Sequence, residues 1–443
     1  MKNEALFRTG SVWRAIFTMA VPSVVIIFVM FLYNIADMFF IGCLGDTAQV
    51  AAVSVVGPVF SILAAAATML GAGGCTIIAR CFGAGEVEKG RVYSSLCCWA
   101  GTLLGVLVCA VLLLCRTPLL QMLGSTPETT AYALQYLRVL AVGSPFLILA
   151  NTAAMLLRAE GAVKDGLIGN LLGTVINLLL DPLFILAFRW GVTGAAAASV
   201  LGNVVATGFY MYYIIRKGTV LTVDPRPALQ KPAALGEILA IGLPNGIGSL
   251  LSGFASTFSN RLLSVYGTGA IAAMAAAGKT TMLIGMITMA ICMGCQPLLA
   301  YSYGAGDKRR LRELLKNIGL LTMGIGLAAG VACLLGRKAL VGMFIKEAAV
   351  AALGEKLVVW LVLGSPVIGL TYLATNLLQS VNKAMSAVVL SLLRQGLLLL
   401  PLLYGLNLFF GVTGIAAAYF AADTGAALIA AVMMARVWKK ELA

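Results

Sequence analysis

The first long apolar run of the chain, residues 15–41, reads AIFTMAVPSVVIIFVMFLYNIADMFFI. It holds a single charged residue, Asp37, in a stretch longer than the roughly 20 residues that a helix needs to cross a bilayer. The run is also far longer than the apolar core of a secretory signal peptide. It therefore predicts a first membrane span, and runs of the same kind recur along the chain.

Composition places the whole chain in the membrane. Its 443 residues are 61% hydrophobic and 11% charged, with a mean hydropathy of +0.99, whereas soluble domains are about 25% charged. Histidine is absent, which excludes the imidazole general base, the Ser-His-Asp triad and most catalytic zinc sites. Nearly all cysteines lie within or beside apolar runs, where a thiol behaves as a small hydrophobe.

Apolar runs separated by charged or Gly/Pro-rich breaks predict twelve spans and an all-α integral membrane protein. The predicted spans are residues 15–41, 51–73, 92–115, 131–157, 166–188, 193–215, 237–265, 270–302, 314–336, 350–380, 384–408 and 413–435. An even number of spans leaves both termini on the same side of the membrane.

The basic residues predict which side that is. Most of them fall in loops on the side of the termini, and the opposite loops carry only Arg116, Arg189, Arg337, Lys338, Lys346 and Lys356. By the positive-inside rule the termini are cytoplasmic, in a multi-pass protein of the plasma membrane. The topology explains the net charge of +14, so we expect no nucleic acid as a partner. The partner that the apolar spans imply is the lipid bilayer.

The two halves of the chain repeat one another. FGAGE at 82–86 matches YGAGD at 303–307, and GSP at 143–145 matches GSP at 364–366 with the same spacing between the copies. GVTG at 191–194 matches GVTG at 411–414, and Pro22 matches Pro244, each with nearly that spacing. Six spans per repeat give both halves the same orientation, hence two six-helix lobes related by a parallel pseudo-two-fold repeat.

The predicted organisation is an N-lobe over residues 1–215, a cytoplasmic linker over 216–236 and a C-lobe over 237–443. Two similar lobes around a shared cavity are typical of transporters that open the cavity alternately to each side. A membrane-embedded enzyme would instead show a cluster of catalytic residues near one membrane surface, and the sequence has none. We therefore expect a transporter of small molecules that works as a monomer.

Two acids at membrane depth lie in the first half. Asp37 follows Tyr33 by four residues and Asn34 by three, and Asp181 follows Asn177 by four, so each acid shares a helix face with a polar neighbour. A carboxylate at the centre of a span costs at least about 2.5–3.5 kcal/mol, so it is kept for a partner, water or an ion. The two acids predict a pocket that binds H+ or Na+.

The second half carries membrane-depth charges of both signs: Asp423, Arg261, Lys279 and Arg394. The three basic residues either pair with Asp423 or line the central cavity. Pro22, in the first span, permits a kink in that helix. Together with Tyr33 and Asn34, these residues are the candidates for contacts with substrate.

Five features of the sequence together resemble one known family. They are the run LYNIADMFFIG at 32–42, the paired Gly-Ala-Gly-acid loops, the Gly-Ser-Pro repeats, NLLLDP at 177–182 and GVTGAA at 191–196. The family that they resemble is the multidrug and toxic compound extrusion (MATE) family, with the DinF-like branch closest in pattern. The resemblance covers the whole chain. It implies a twelve-helix, two-lobed antiporter that exports diverse cationic amphipathic compounds, such as drugs, in exchange for H+ or Na+. Apart from that coupling ion, we expect no cofactor.

The resemblance also implies residue roles. Asp37, Asn177 and Asp181 match the family's N-lobe cation site, Ser199 stands where relatives often have threonine, and Tyr33 and Pro22 match as well. The second lobe departs from the pattern of another branch, because Ser252 stands in place of a glutamate. An alternative with the same two-lobed plan is a flippase for lipid-linked oligosaccharide, whose anionic cargo suits the basic residues of the second lobe.

Overall fold

The structure, a computed structural model, describes residues 7–8, 10–42 and 46–439, and its regular secondary structure there is helical. The helices of these residues are α1 (Val12–Gly42), α2 (Thr47–Gly83), α3 (Val87–Leu114), α4 (Arg116–Met122), α5 (Pro127–Ala159), α6 (Val163–Pro182), α7 (Val192–Lys217), α8 (Pro225–Gln230), α9 (Ala234–Ser264), α10 (Thr268–Gly304), α11 (Lys308–Gly342), α12 (Ala348–Leu363), α13 (Ser365–Ser380), α14 (Ala384–Leu392) and α15 (Leu399–Val437). Two π-helical segments, Leu183–Ala187 and Leu393–Leu398, extend α6 and join α14 to α15.

The described helices account for the twelve predicted spans. Ten helical runs are long and apolar enough to cross a membrane, and α12 with α13 forms one further span bent by 43°. One of the ten, Ala384–Val437, is 54 residues long, about twice what one crossing needs. Gly411 breaks it with a φ of 59°, a backbone conformation that glycine adopts readily, so this run holds the eleventh and twelfth spans.

The internal repeat is also present in the hydrogen bonds. The Ser144 hydroxyl donates to the Gly105 carbonyl at 2.9 Å, and the Ser365 hydroxyl donates to the Gly326 carbonyl at 2.8 Å. The two bonds occupy equivalent positions when the halves are aligned by their Gly-Ser-Pro motifs. In both halves this bond joins the third span of the half to the fourth at a glycine, where the helices approach closely because no side chain intervenes.

The helices form two compact units. Of the described residues, one unit contains Phe7 and those within Pro22–Gly242, and the other contains those within Arg8–Val21 and from Leu243 to Lys439. The boundaries therefore fall within α1 at Pro22 and within α9 just before Pro244. Proline interrupts the helical hydrogen-bond ladder. In each of these helices the boundary between the two units therefore lies at or next to a point where backbone hydrogen bonds are missing.

The segment between the repeats is folded onto the first unit. Glu160, buried at the end of α5, accepts hydrogen bonds from the amide and hydroxyl of Thr219 and from the Val220 amide. On α3, the Trp99 indole donates to the Val223 carbonyl at 2.9 Å, and the Ser94 hydroxyl exchanges two hydrogen bonds with the backbone of Thr222. The linker predicted over 216–236 is thus anchored rather than loose at its start.

We expect Glu160→Ala to loosen this anchor, because three donors lose one charged acceptor and such hydrogen bonds contribute about 1.5–3 kcal/mol each. Trypsin should then cut after the exposed Lys217 several times faster than in the parent protein. Glu128→Ala, which changes an exposed acid in the first turn of α5, is the matched control. Equal cleavage rates in both variants would contradict the anchoring role.

The cysteines of the described residues are free thiols, as their apolar surroundings predict. Cys292 and Cys295 are buried in α10 and point their sulfurs at the carbonyls of Gly369 and Ile16, 3.7 and 3.9 Å away. Their CxxC spacing therefore serves packing within the second unit.

Candidate functional site

Three helices of the first unit bring five predicted polar residues together. α1 carries Tyr33 and Asp37, α6 carries Asn177 and Asp181, and α7 carries Ser199. In each of the first two helices the pair is spaced by four residues, so both side chains emerge from the same face one turn apart. The predicted N-lobe site is therefore assembled from separate parts of the sequence into one cluster.

Ser199 is the centre of the cluster's hydrogen bonds. Its hydroxyl oxygen lies 2.8 Å from the Tyr33 hydroxyl and accepts a hydrogen bond from the Asn177 side-chain amide at 3.2 Å. The side chains of Ser199 and Asn177 are both buried. These bonds fix the ring of Tyr33 and the amide of Asn177, and they leave the Asn177 amide oxygen directed elsewhere.

The acids of the cluster are less well paired. Asp181 is fully buried, and both of its carboxylate oxygens lack a hydrogen-bond partner in the described part of the protein, as do Oδ1 of Asp37 and Oδ1 of Asn177. Asp37 lies close enough to Asp181 for their charges to interact. Holding two charged carboxylates near one another with few donors is unfavourable, and a proton or a bound cation relieves that cost.

The backbone at Asp181 is irregular. Pro182 follows it and ends α6, and the chain continues as the π-helical segment Leu183–Ala187, in which the Phe188 amide donates to the Leu183 carbonyl. Proline cannot donate to the carbonyl one turn earlier, and π-helical turns inside spans are frequent at functional sites. The proline is visible in the sequence, whereas the π-helical form is not.

Close packing of two glycines sets the distance between α6 and α7. A Cβ atom on Gly173 would lie 2.8 Å from the Gly202 carbonyl oxygen, and one on Gly202 would lie 2.5 Å from the Gly173 carbonyl oxygen and 3.2 Å from Cβ of Asn177. Only glycine at both positions allows the helices to approach this closely. That approach puts Asn177 within reach of Ser199.

Sequence reasoning missed Tyr136 of α5. This half-buried side chain lies near both Asp37 and Asp181. Its hydroxyl is a polar group at membrane depth, but it has no acid four residues away in the sequence, which was the signal that singled out Tyr33. Only the packing of α5 against its neighbours brings it to the cluster.

A cavity of about 130 Å³ adjoins the cluster within the first unit. Its polar lining comes from the cluster and from further amides, and its apolar lining includes Met30 and Phe60. The polar residues that line it are Tyr33, Asn151, Asn170, Thr174, Asn177, Ser199, Asn203 and Tyr210. The cavity therefore offers an amphipathic surface that shares Tyr33, Asn177 and Ser199 with the cluster.

The remaining predicted site residues are Pro22, Asn34 and four residues of the second unit. The side chain of Asn34 lies outside the described residues, and Pro22 lies at the unit boundary in α1. In the second unit, Arg394 pairs with Asp423 at 2.8 Å. Arg261 is exposed in the last turn of α9, and Lys279 is exposed with its ammonium 5.6 Å from the Phe344 ring, so these two do not pair with the acid.

The second unit does not duplicate the acid cluster. When the halves are aligned by their Gly-Ser-Pro motifs, Leu398 and Leu402 take the places of Asn177 and Asp181. An apolar side chain at each position cannot bind a proton or a cation. The acid cluster is therefore a feature of the first half.

The sequence model of the MatE family matches the chain twice, at residues 22–183 and 244–404. The Multidrug export protein MepA of Staphylococcus saprophyticus subsp. saprophyticus is 30% identical over 432 residues, which cover 97% of this chain and 95% of that protein. MepA of Staphylococcus aureus is 30% identical over 434 residues with the same coverage of 97% and 95%.

Solved structures share the fold. A crystal structure of a MATE in the bent conformation matches with a TM-score of 0.93 at 23% identity and covers 100% of both chains. An outward-facing multidrug resistance MATE family transporter of the MOP superfamily matches with a TM-score of 0.92 at 24% identity, over 99% of this chain and 98% of that one. At these identities the likeness establishes the all-helical fold of the chain.

Proposed function

This chain belongs to the MatE family, and from that premise we propose that it is a secondary active antiporter that exports diverse cationic amphipathic compounds in exchange for H+ or Na+. The relatives that match over nearly the whole chain are named multidrug export proteins. Export by alternating access of the two repeated halves suits this family and the internal repeat. An enzymatic activity has no support in these relatives.

The observation that carries the proposal is the set of shielded oxygens without partners on Asp37, Asn177 and Asp181. Carboxylate and amide oxygens are the groups that hard cations prefer, and a carboxylate is the group that a proton neutralises. The cluster fits either ion, so the coupling ion is H+ or Na+. No tightly held cofactor enters this scheme.

Coupling follows from the charge of the cluster. When the acids are ionised they attract a cationic compound, and when H+ or Na+ neutralises them that attraction is lost. The coupling ion and the substrate therefore bind in competition. Two ligands that favour different states of one site are linked reciprocally, so an inward ion gradient drives the compound outward.

The substrate class follows from the cavity beside the cluster. Its lining combines Met30 and Phe60 with several amides, a surface that holds an apolar body through packing and a polar end through hydrogen bonds. The two acids add a preference for positive charge. This combination favours amphipathic cations of varied shape rather than one defined metabolite.

The protein is proposed to work as a monomer in the plasma membrane with both termini in the cytoplasm. The excess of basic residues in the loops on the side of the termini supports that orientation. In this orientation the segment anchored by Glu160 is cytoplasmic.

Lipid-linked oligosaccharide transport is the weaker candidate. The basic residues that would hold an anionic headgroup are Arg261, Lys279 and Arg394, and Arg394 is already neutralised by Asp423. The relatives named above are multidrug export proteins, which also favours drug export.

The purified full chain in proteoliposomes tests the proposal. Vesicles with an acidic or Na+-loaded lumen should accumulate external radiolabelled ethidium, a permanent cation, because outward movement of the coupling ion drives antiport inward. Protein-free vesicles under the same gradients are the control, and comparing the two gradients identifies the ion. Absence of accumulation under both gradients would contradict coupled export.

A further inference from the structure

The second unit contains a cavity of about 270 Å³ with a charged pair in its wall. Nε of Arg394 donates to Oδ1 of Asp423 at 2.8 Å, and the two side chains are 12% and 20% exposed. The guanidinium carbon lies 4.8 Å from the centre of the Tyr372 ring. The pair is thus largely shielded from solvent and faces an open volume close to the lower end of the range for ligand pockets, which begins at about 300 Å³.

The rest of the cavity lining includes both hydroxyl groups and apolar side chains. Hydroxyl groups come from Ser252, Thr281 and Tyr419, while Met282 and Leu361 supply apolar surface. Hydroxyls and an ion pair of zero net charge select for a polar ligand without selecting for one sign of charge. The apolar surface adds room for a hydrophobic body.

The repeat shows that this pair is specific to the second half. Aligned by the Gly-Ser-Pro motifs, Arg394 takes the place of Gly173, which packs against Gly202 so closely that no side chain fits there. Aligned by the Gly-Val-Thr-Gly motifs, Asp423 takes the place of the neutral Asn203. At these two positions the first unit has a glycine and a neutral asparagine, which both line its own cavity, whereas the second unit places opposite charges there.

The backbone carrying Arg394 is also altered. Arg394 and Gln395 lie in the π-helical segment Leu393–Leu398 and both line the cavity. A π-helical turn inserts an extra residue into a helix and is found mostly at functional sites. A buried ion pair contributes little to stability compared with apolar packing, so stability alone does not account for the charges, the altered turn and the open volume together.

We propose that this cavity is a second ligand site, which binds amphipathic zwitterions by exchange of the Arg394–Asp423 ion pair. The carboxylate of the ligand takes the guanidinium, whose planar fork of donors suits a carboxylate, and the cationic group of the ligand takes Asp423. The proposal rests on the export function above, because it extends the range of compounds that the exporter accepts.

Charge balance explains the preference for zwitterions. A zwitterion leaves both Arg394 and Asp423 paired, so no buried charge is stranded when the internal pair opens. A pure cation that takes Asp423 leaves Arg394 unpaired, and a pure anion leaves Asp423 unpaired. Breaking a buried pair by removing one partner is strongly unfavourable, so ligands with one charge bind more weakly here.

Three matched fluorescent probes test the site on the purified full chain in nanodiscs: a coumarin with a quaternary ammonium and a carboxylate, its methyl ester, and the coumarin carboxylate without the ammonium. Fluorescence anisotropy gives the affinity for each. The parent protein should bind the zwitterion about tenfold or more tightly than either singly charged probe, as charged hydrogen bonds of this kind imply.

The variants should change the preference in opposite directions. Arg394→Gln should favour the cationic ester, and Asp423→Asn should favour the anionic carboxylate, because each leaves one unpaired charge in the cavity. Misfolding cannot produce opposite preferences in two variants. Lys356→Gln, which changes an exposed charge of the same unit, should keep the parent order of affinities.

Equal binding of the three probes by the parent protein, or an unchanged order in both variants, would overturn the second site and leave the ion pair a structural contact. Binding needs no ion gradient, so this outcome is separate from the transport assay. A protein that shows the expected probe preferences but accumulates no ethidium would overturn the export function and keep the site.

Discussion

Asp181→Asn should reduce gradient-driven ethidium transport to the level of protein-free vesicles. The substitution keeps the shape of the side chain but removes its charge, so the cluster stays in the neutral form that otherwise requires a bound proton or Na+. Because Asp181 is fully buried with no hydrogen-bond partner in the described protein, the amide disturbs no existing contact. Loss of transport would therefore report on ion exchange and not on folding.

The matched control for this variant is Asp165→Asn. Asp165 lies in the first turn of the same helix, α6, outside the cluster, and its change to asparagine should leave transport intact. Asp37→Asn should act in the same direction as Asp181→Asn, because Asp37 lies within charge–charge range of Asp181. Full transport by both cluster variants would exclude these acids from coupling.

Gly202→Val should unfold or strongly destabilise the first unit. The Cβ atom would lie 2.5 Å from the Gly173 carbonyl oxygen, a distance that forces α6 and α7 apart. Overpacking of this kind costs about 1–3 kcal/mol and more where backbone must move. Separation of the helices also removes the hydrogen bond between Asn177 and Ser199, so any folded fraction should lose ion-coupled transport.

The loss of stability is measured by heating the protein and using size-exclusion chromatography to determine the folded fraction that remains at each temperature. Gly208→Val on the same helix is the control, because nothing lies within 4 Å of its added Cβ atom. We expect the Gly202 variant to melt well below the parent protein and the Gly208 variant to melt close to it. Equal melting temperatures for the two valine variants would show that the glycine contact does not set the spacing of α6 and α7.

Much of the acid cluster could be predicted from the sequence. An acid in an apolar run is visible at once, and a polar residue four positions earlier must share its helix face. These rules gave Tyr33 with Asp37 and Asn177 with Asp181, and the structure brings both pairs together with Ser199. Tyr136 was not predictable in this way, because its partners lie on other helices.

In the second unit, too, the sequence identifies the candidate residues but not which of them are in contact. Its four charged residues at membrane depth were visible in the sequence. Which of the three basic residues forms an ion pair with Asp423 depends on how the helices pack. Arg394 is distant from Asp423 along the chain and within 2.8 Å in space, whereas Lys279 lies over Phe344 instead. Helical periodicity says nothing about contacts between different helices.

The sequence by itself determined the number of spans, the internal repeat and the helix face on which each polar residue stands, because hydrophobicity and the 3.6-residue period act along the chain. Only the tertiary structure decided that glycines bring α6 and α7 together, that oxygens of both acids are left without donors, and that an ion pair faces a cavity in the second unit. These outcomes depend on the fit of side chains across helix interfaces, which local sequence rules do not encode.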